Sequence, residues 1–232
     1  MKIEVKGPII SSSDQWIYDW FGMEATSPKK VSSLIKQAKG EELEVEINSG
    51  GGSVFAGSEI YTTLKSYKGN VVVNIVGLAA SAASVIAMAG NKVMMSPTGQ
   101  IMIHNASSYA SGDYREMEKG AEMLKNVNAS ISNAYRIKTG MSQEELLALM
   151  DKETWMTAQQ ALDNKFVDGI MFEEETQLIA SADHTRMLPP EVINKLRNEF
   201  KKEPEKNPRV NDKRMQEIEN KLKEIALILA LR

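Results

Sequence analysis

The segment spanning residues 71–90, VVVNIVGLAASAASVIAMAG, constrains the fold of this chain more than any other. Residues 71–76 are apolar or alternate with polar residues, which predicts a buried strand. Gly77 is expected to break this strand before a run of small residues that favours a helix. Ser81 lies at the predicted junction, where first-turn N–H groups and the positive end of the helix dipole favour a developing negative charge. Ser81 is therefore a candidate nucleophile, although a helix N-cap or a small packing residue would also fit this position.

A second strand, predicted over residues 43–47, is followed by Asn48, Ser49, a run of glycines at 50–52, and a helix. Two successive strand–glycine turn–helix units indicate an α/β fold with a parallel sheet, whose sites lie at the carboxyl ends of the strands. The glycine run allows the backbone to approach a substrate closely and to offer N–H groups to an oxyanion. It lacks the patterns of phosphate-binding loops, and a tight turn without function is the remaining alternative.

The rest of the first 172 residues alternates between strands and helices. Further strands are predicted over residues 2–5, 92–95, 101–104 and 166–171, and helices over 28–39, 53–67, 113–138, 142–150 and 157–164. Residues 173–232 form a charged extension with a helix, a proline-bearing linker and a final segment that is either a short coiled coil or an amphipathic helix. The chain is thus expected to hold one α/β domain and an appendage.

Serine needs a base to take its proton, and histidine suits that role near neutral pH. The chain has two histidines. His104 ends a predicted strand close to the Ser81 turn, whereas His184 lies in the extension. A carboxylate should orient the imidazole, and Asp151 or Glu153 could do so, although either could be a solvated charge at a helix end.

Composition excludes several classes of site. The 232 residues carry a net charge of −3, which favours neither nucleic acid nor a membrane surface as a partner. With no cysteine, the chain has no disulfide and no thiolate metal site, and no cofactor or metal is expected. No signal peptide or membrane span is evident, so a cytoplasmic location is expected.

Four segments together resemble the conserved blocks of the ClpP family, the proteolytic subunits of Clp protease: EVEINSGGGSVFAGSEIY, IVGLAASAASVIAMAG, IMIHNASS and ETWMTAQQALDNKFVDGI. The resemblance covers residues 1–172. It implies a ClpP/crotonase-like fold of repeated ββα units with a long handle helix at 113–138. It also implies a serine endopeptidase that cleaves polypeptides.

By this resemblance Ser81 is the nucleophile and His104 is the base. Gly52 and Ala82 correspond to the N–H donors of the oxyanion hole. Glu153 occupies the position of the acidic residue, where the family usually has aspartate, and Asp151 is the alternative.

The family assembles as homo-oligomeric rings, usually two stacked heptamers, that can dock an ATPase unfoldase. Here the short amino terminus suggests that the axial docking loops are missing, so a Clp ATPase partner is left open. Together with the long extension, this resembles Clp-like proteins of phages and prophages, and the resulting hypothesis is processing of capsid and scaffold proteins during head maturation. The alternatives are an acyl-CoA enzyme of the crotonase fold and a catalytically inactive scaffold protein.

Overall fold

The structure is a computed structural model that describes residues 1–173. Its strands are β1 (Lys2–Lys6), β2 (Leu43–Ser49), β3 (Val71–Ala80), β4 (Lys92–Met95), β5 (Gln100–Ile103), β6 (Thr154–Thr157) and β7 (Gly169–Ile170). Its helices are α1 (Gln15–Trp20), α2 (Pro28–Gln37), α3 (Val54–Lys65), α4 (Ala82–Ala87), α5 (Tyr114–Thr139), α6 (Gln143–Asp151) and α7 (Ala158–Asp163). The predictions for the extension, which includes His184, concern residues outside those described.

The strands form one mixed sheet. Five of them lie in the order β1-β2-β3-β4-β7, and each neighbouring pair runs parallel. β5 pairs in parallel with the far end of β3 and antiparallel with β6. The predicted α/β architecture with a parallel centre is therefore confirmed, and the β5–β6 ladder adds an antiparallel edge.

The prediction that Gly77 breaks the strand is wrong, because β3 continues through Gly77 to Ala80. The pairing with β2 shifts register between Ile47 and Ser49. At this irregularity the side chain of Asn48 accepts the N–H of Leu78 at 3.1 Å, and a Cβ on Gly77 would lie 2.6 Å from the Asn48 oxygen. The glycine therefore makes room for a neighbouring side chain inside a bent strand, and the second half of β3 turns to pair with β5.

The core lies between the sheet and the helices that cover it. Alternate residues of β2 and β3 are fully buried, as expected for strands covered by helices. α3 packs closely on α4, because a Cβ on Gly57 would lie only 3.0 Å from that of Ala82. This packing holds α4 against the carboxyl end of β3.

The long helix predicted at 113–138 is present as α5. Asp113 and Glu116 form a capping box at its start, and Gly140 ends it in the left-handed conformation. Capping boxes also begin α6, with Ser142 and Glu145, and α7, with Thr157 and Gln160. The last strand is shorter than the predicted 166–171, and α1 and β6 were not predicted. None of the helices within residues 1–173 is both long and apolar enough to span a membrane.

Candidate active site

Ser81 occupies the sharp turn between β3 and α4. Its backbone has φ 55° and ψ −126°, a conformation that is costly for a residue with a Cβ. Its N–H donates to the carbonyl of Met102 on β5 at 2.9 Å, which holds the turn against the sheet. Although Ser81 is at the N-cap position, its side chain makes no capping hydrogen bond. The hydroxyl is therefore available for another partner.

That partner is His104. The Nε2 atom of His104 lies 2.8 Å from the Ser81 Oγ, in a half-buried position. The sheet explains the contact, because Ala80 and Met102 are paired residues of the neighbouring strands β3 and β5. Ser81 and His104 are the next polar residues after this pair, so both lie at the same edge of the sheet. A hydroxyl in hydrogen-bond contact with an imidazole nitrogen is the arrangement of an activated serine nucleophile.

The glycine turn after β2 lies directly against Ser81. Gly51 has φ +93°, and a Cβ there would lie 2.6 Å from the Ala80 carbonyl oxygen and 2.7 Å from the Ser81 Cβ. Gly52, with φ +150°, lies against Ile9, where a Cβ would be 2.2 Å from the carbonyl oxygen. Among residues 1–173, the N–H groups of Gly52 and Ala82 have no hydrogen-bond acceptor. The Ala82 N–H, next to Ser81 in sequence, and the Gly52 N–H, in the turn whose Gly51 lies against Ser81, are candidate donors to an oxyanion.

Neither candidate acid contacts the imidazole within residues 1–173. The β5–β6 ladder ends at the pair of Ile103 and Thr154, and His104 and Glu153 are the residues that adjoin this last pair. The Glu153 Oε1, however, accepts the indole N–H of Trp155 at 3.3 Å. The Asp151 carboxylate accepts the side-chain amide of Asn105 at 2.6 Å. Glu153 and Asp151 therefore both remain candidates, and each carboxylate is engaged by a side chain other than His104.

Helix α5 forms a hydrogen bond near each of the two candidate residues, Ser81 and His104, which the sequence did not reveal. The Asn128 side chain accepts the N–H of Ala106, two residues after His104, at 2.8 Å. Tyr135 lies about two turns further along the same face of α5, and its hydroxyl lies 2.8 Å from the Ser84 Oγ in α4. Burial raises the pKa of Tyr135 well above its usual range, and the opposing effect of the Ser84 hydrogen bond is smaller. Tyr135 lies at a spacing typical of the apolar face of a helix, so the sequence carries no signal of a polar role.

Two depressions lie beside the serine. A small pocket reaches Ser81 and His104, and its other walls are mostly apolar: Val54, Ala82, Val85, Ala106, Ile131 and Tyr135. A groove of about 400 Å³ continues along α5 and shares Val54 and Ile131 with this pocket. Within the described part of the chain, no cluster of three or more His, Asp or Glu residues is placed to hold a metal ion.

Comparison with known proteins identifies the family of this chain. The family model described as Clp protease matches residues 24–174, which is more than half of the chain. The ATP-dependent Clp protease proteolytic subunit of Ligilactobacillus salivarius is 36% identical over 140 residues, covering 60% of this chain and 71% of the relative. The proteolytic subunit 1 of Chlamydia abortus is 33% identical over 152 residues, covering 64% of this chain and 79% of the relative.

The corresponding subunit of Bacteroides fragilis is 32% identical over 137 residues, covering 58% of this chain. That match spans 66% of the relative, just under two thirds of its length. The family match includes β2 to β7 and therefore every candidate site residue. The resemblance carried by the four sequence segments is confirmed, and so is the ClpP-type α/β fold with its long helix. The chain belongs to the Clp protease family.

Proposed function

We propose that this protein is a serine endopeptidase that cleaves polypeptides. The contact of 2.8 Å between the Ser81 hydroxyl and the His104 Nε2 carries the proposal. The names of the relatives, ATP-dependent Clp protease proteolytic subunits, agree with it.

The reaction begins when Ser81 attacks the carbonyl carbon of the peptide bond and His104 takes the hydroxyl proton. The tetrahedral intermediate places its oxyanion near the N–H groups of Gly52 and Ala82. When the intermediate collapses, His104 gives the proton to the leaving amine and the acyl group stays on Ser81. Water, deprotonated by His104, then hydrolyses the acyl-enzyme.

Glu153 orients the imidazole in this proposal. A rotation of its side chain away from the Trp155 indole would free the carboxylate for the Nδ1 of His104, because both residues adjoin the last pair of the β5–β6 ladder. A carboxylate at that nitrogen fixes the tautomer and stabilises the imidazolium formed during catalysis. Asp151 is the weaker candidate because the Asn105 amide already holds it.

The family membership also supports a homo-oligomeric, heptameric ring as the working assembly. The relatives are named as subunits of an ATP-dependent protease, and this name is the basis on which a partner ATPase is proposed. Processing of phage capsid and scaffold proteins stays a prediction from the sequence.

The test is turnover of fluorogenic peptides by the wild type, Ser81→Ala and the control Ser66→Ala. Ser66 is an exposed serine at the end of α3. Ser81→Ala should lower kcat by about 10⁴-fold or more, while Ser66→Ala should match the wild type. Equal turnover by Ser81→Ala would exclude this mechanism. Turnover of an acyl-CoA thioester that persists without Ser81 would instead favour the crotonase-type alternative.

A further inference from the structure

We infer that the buried hydroxyls of Tyr135 and Ser84 hold the peptide between Ser81 and Ala82 in the orientation that an oxyanion hole needs. Tyr135 and Ser84 are then positioning residues that act through this peptide. The inference rests on the proposed function, because it concerns the N–H of Ala82 as an oxyanion donor.

The direction of the hydrogen bonds follows from a count of protons. The Ser84 hydroxyl has one proton and donates it to the Ser81 carbonyl oxygen at 2.6 Å. The contact of 2.8 Å with Tyr135 must therefore use the phenol proton, with the Ser84 Oγ as acceptor. Both side chains are buried, Ser84 at 0% and Tyr135 at 1% exposure, so water cannot substitute for either partner.

The geometry of a trans peptide connects the Tyr135 and Ser84 hydroxyls to the N–H of Ala82. The carbonyl of Ser81 and the N–H of Ala82 belong to one planar unit and point in opposite directions. The Ser81 carbonyl also accepts the N–H groups of Ser84 at 3.0 Å and Val85 at 3.3 Å, and the hydroxyl bond is the shortest of the three. Fixing the carbonyl inside α4 therefore fixes the Ala82 N–H on the opposite side.

The turn needs such an anchor. Ser81 has a strained backbone, and α4 is only six residues long, so few helical hydrogen bonds resist rotation of its first peptide. Tyr135 lies 51 residues from Ser84 in sequence, on the long helix α5. The orientation of one oxyanion donor is thereby tied to the position of α5.

Four variants test this assignment. Ser84→Ala removes the donor to the Ser81 carbonyl and leaves the Tyr135 hydroxyl buried without an acceptor. Tyr135→Phe removes only the phenol. The double variant removes both hydroxyls and leaves no unsatisfied side-chain group. Ser132→Ala is the matched control, since Ser132 is equally buried and donates to the carbonyl three residues earlier at 2.8 Å, on α5.

We expect Ser84→Ala and the double variant to lose about 10- to 100-fold in kcat with KM within about 2-fold of the wild type, less than removal of a whole donor costs. A peptide boronate should bind both of these variants more weakly by a similar factor, since it mimics the tetrahedral intermediate. The melting temperature should fall in Ser84→Ala and recover in the double variant, because apolar replacement of both partners leaves nothing unsatisfied. Ser132→Ala should lose stability but keep its kcat.

Recovery of kcat together with stability in the double variant would show a purely structural pair and overturn the inference. Wild-type kcat and boronate affinity in Ser84→Ala would do the same while leaving the proposed function intact. If the wild type itself neither cleaves peptides nor binds the boronate, the proposed function fails, and the inference fails with it.

Discussion

Replacing Gly51 with alanine should damage both the fold and the candidate site. The added Cβ would lie 2.6 Å from the carbonyl oxygen of Ala80 and 2.7 Å from the Cβ of Ser81, and both atoms belong to the strained turn. The residue also has φ +93°, which an L side chain rarely adopts. Strain of about 1–2 kcal/mol and overpacking of about 1–3 kcal/mol give an expected loss of about 2–5 kcal/mol in the free energy of unfolding.

The turnover number should fall as well. To relieve the contact, the Ser81 turn and the glycine loop must move apart, which alters the geometry between the hydroxyl and the two N–H donors. We expect kcat to drop about 10-fold or more. Urea denaturation measures the first effect, and fluorogenic peptide turnover at a temperature where the variant is folded measures the second.

Gly50→Ala is the matched control in the same loop. Gly50 is exposed, a Cβ there would meet nothing within 4 Å, and its φ lies outside the left-handed region. Its stability should stay within about 1 kcal/mol of the wild type and its kcat should be unchanged. Equal stability and turnover in both variants would refute the close approach of the glycine turn to Ser81.

Two further predictions concern carboxylates. Glu153→Gln should lower kcat by about 10²-fold or more and Asp151→Asn should leave it nearly unchanged; the reverse order in peptide turnover would assign the acid to Asp151. The N–H and hydroxyl of Ser142 donate to Glu145 and lower the pKa of its carboxyl from the usual 4.5. The ionised carboxylate therefore stabilises the folded state above pH 4.5, and this stabilisation is lost as the pH falls through the lowered pKa of the folded state. Glu145→Gln should therefore unfold at lower denaturant concentration than the wild type at pH 7, with the difference shrinking toward pH 3; a difference that persists at pH 3 would contradict the assignment.

Local sequence signals predicted the parts of the fold that local physics determines. The apolar run that becomes β3, the small residues of α4 and the sequence patterns of the helices α5, α6 and α7 all depend on near neighbours in sequence. The prediction that Gly77 ends the strand was wrong because the role of this glycine depends on Asn48, which lies in another strand. α1 contains no buried residue, so no amphipathic pattern marks it, and the four-residue β6 is recognisable only through its pairing with β5.

In the candidate site, too, some contacts could be predicted from the sequence and others could not. The proximity of Ser81 and His104 could be predicted, because both lie at the ends of strands that a parallel sheet brings to one edge. The rotamer of Glu153 could not be predicted, since it depends on an indole N–H that competes for the carboxylate. The contact between Tyr135 and Ser84 joins two helices that no local pattern connects.

Covalent labelling tests the central claim most directly. A fluorophosphonate reacts with a serine that is activated by a base and flanked by oxyanion donors. The account predicts that the wild type gains one adduct, located by peptide mass on Ser81, that His104→Ala reacts far more slowly, and that Ser81→Ala is not labelled. An adduct on another residue, or undiminished labelling of Ser81→Ala, would contradict the account.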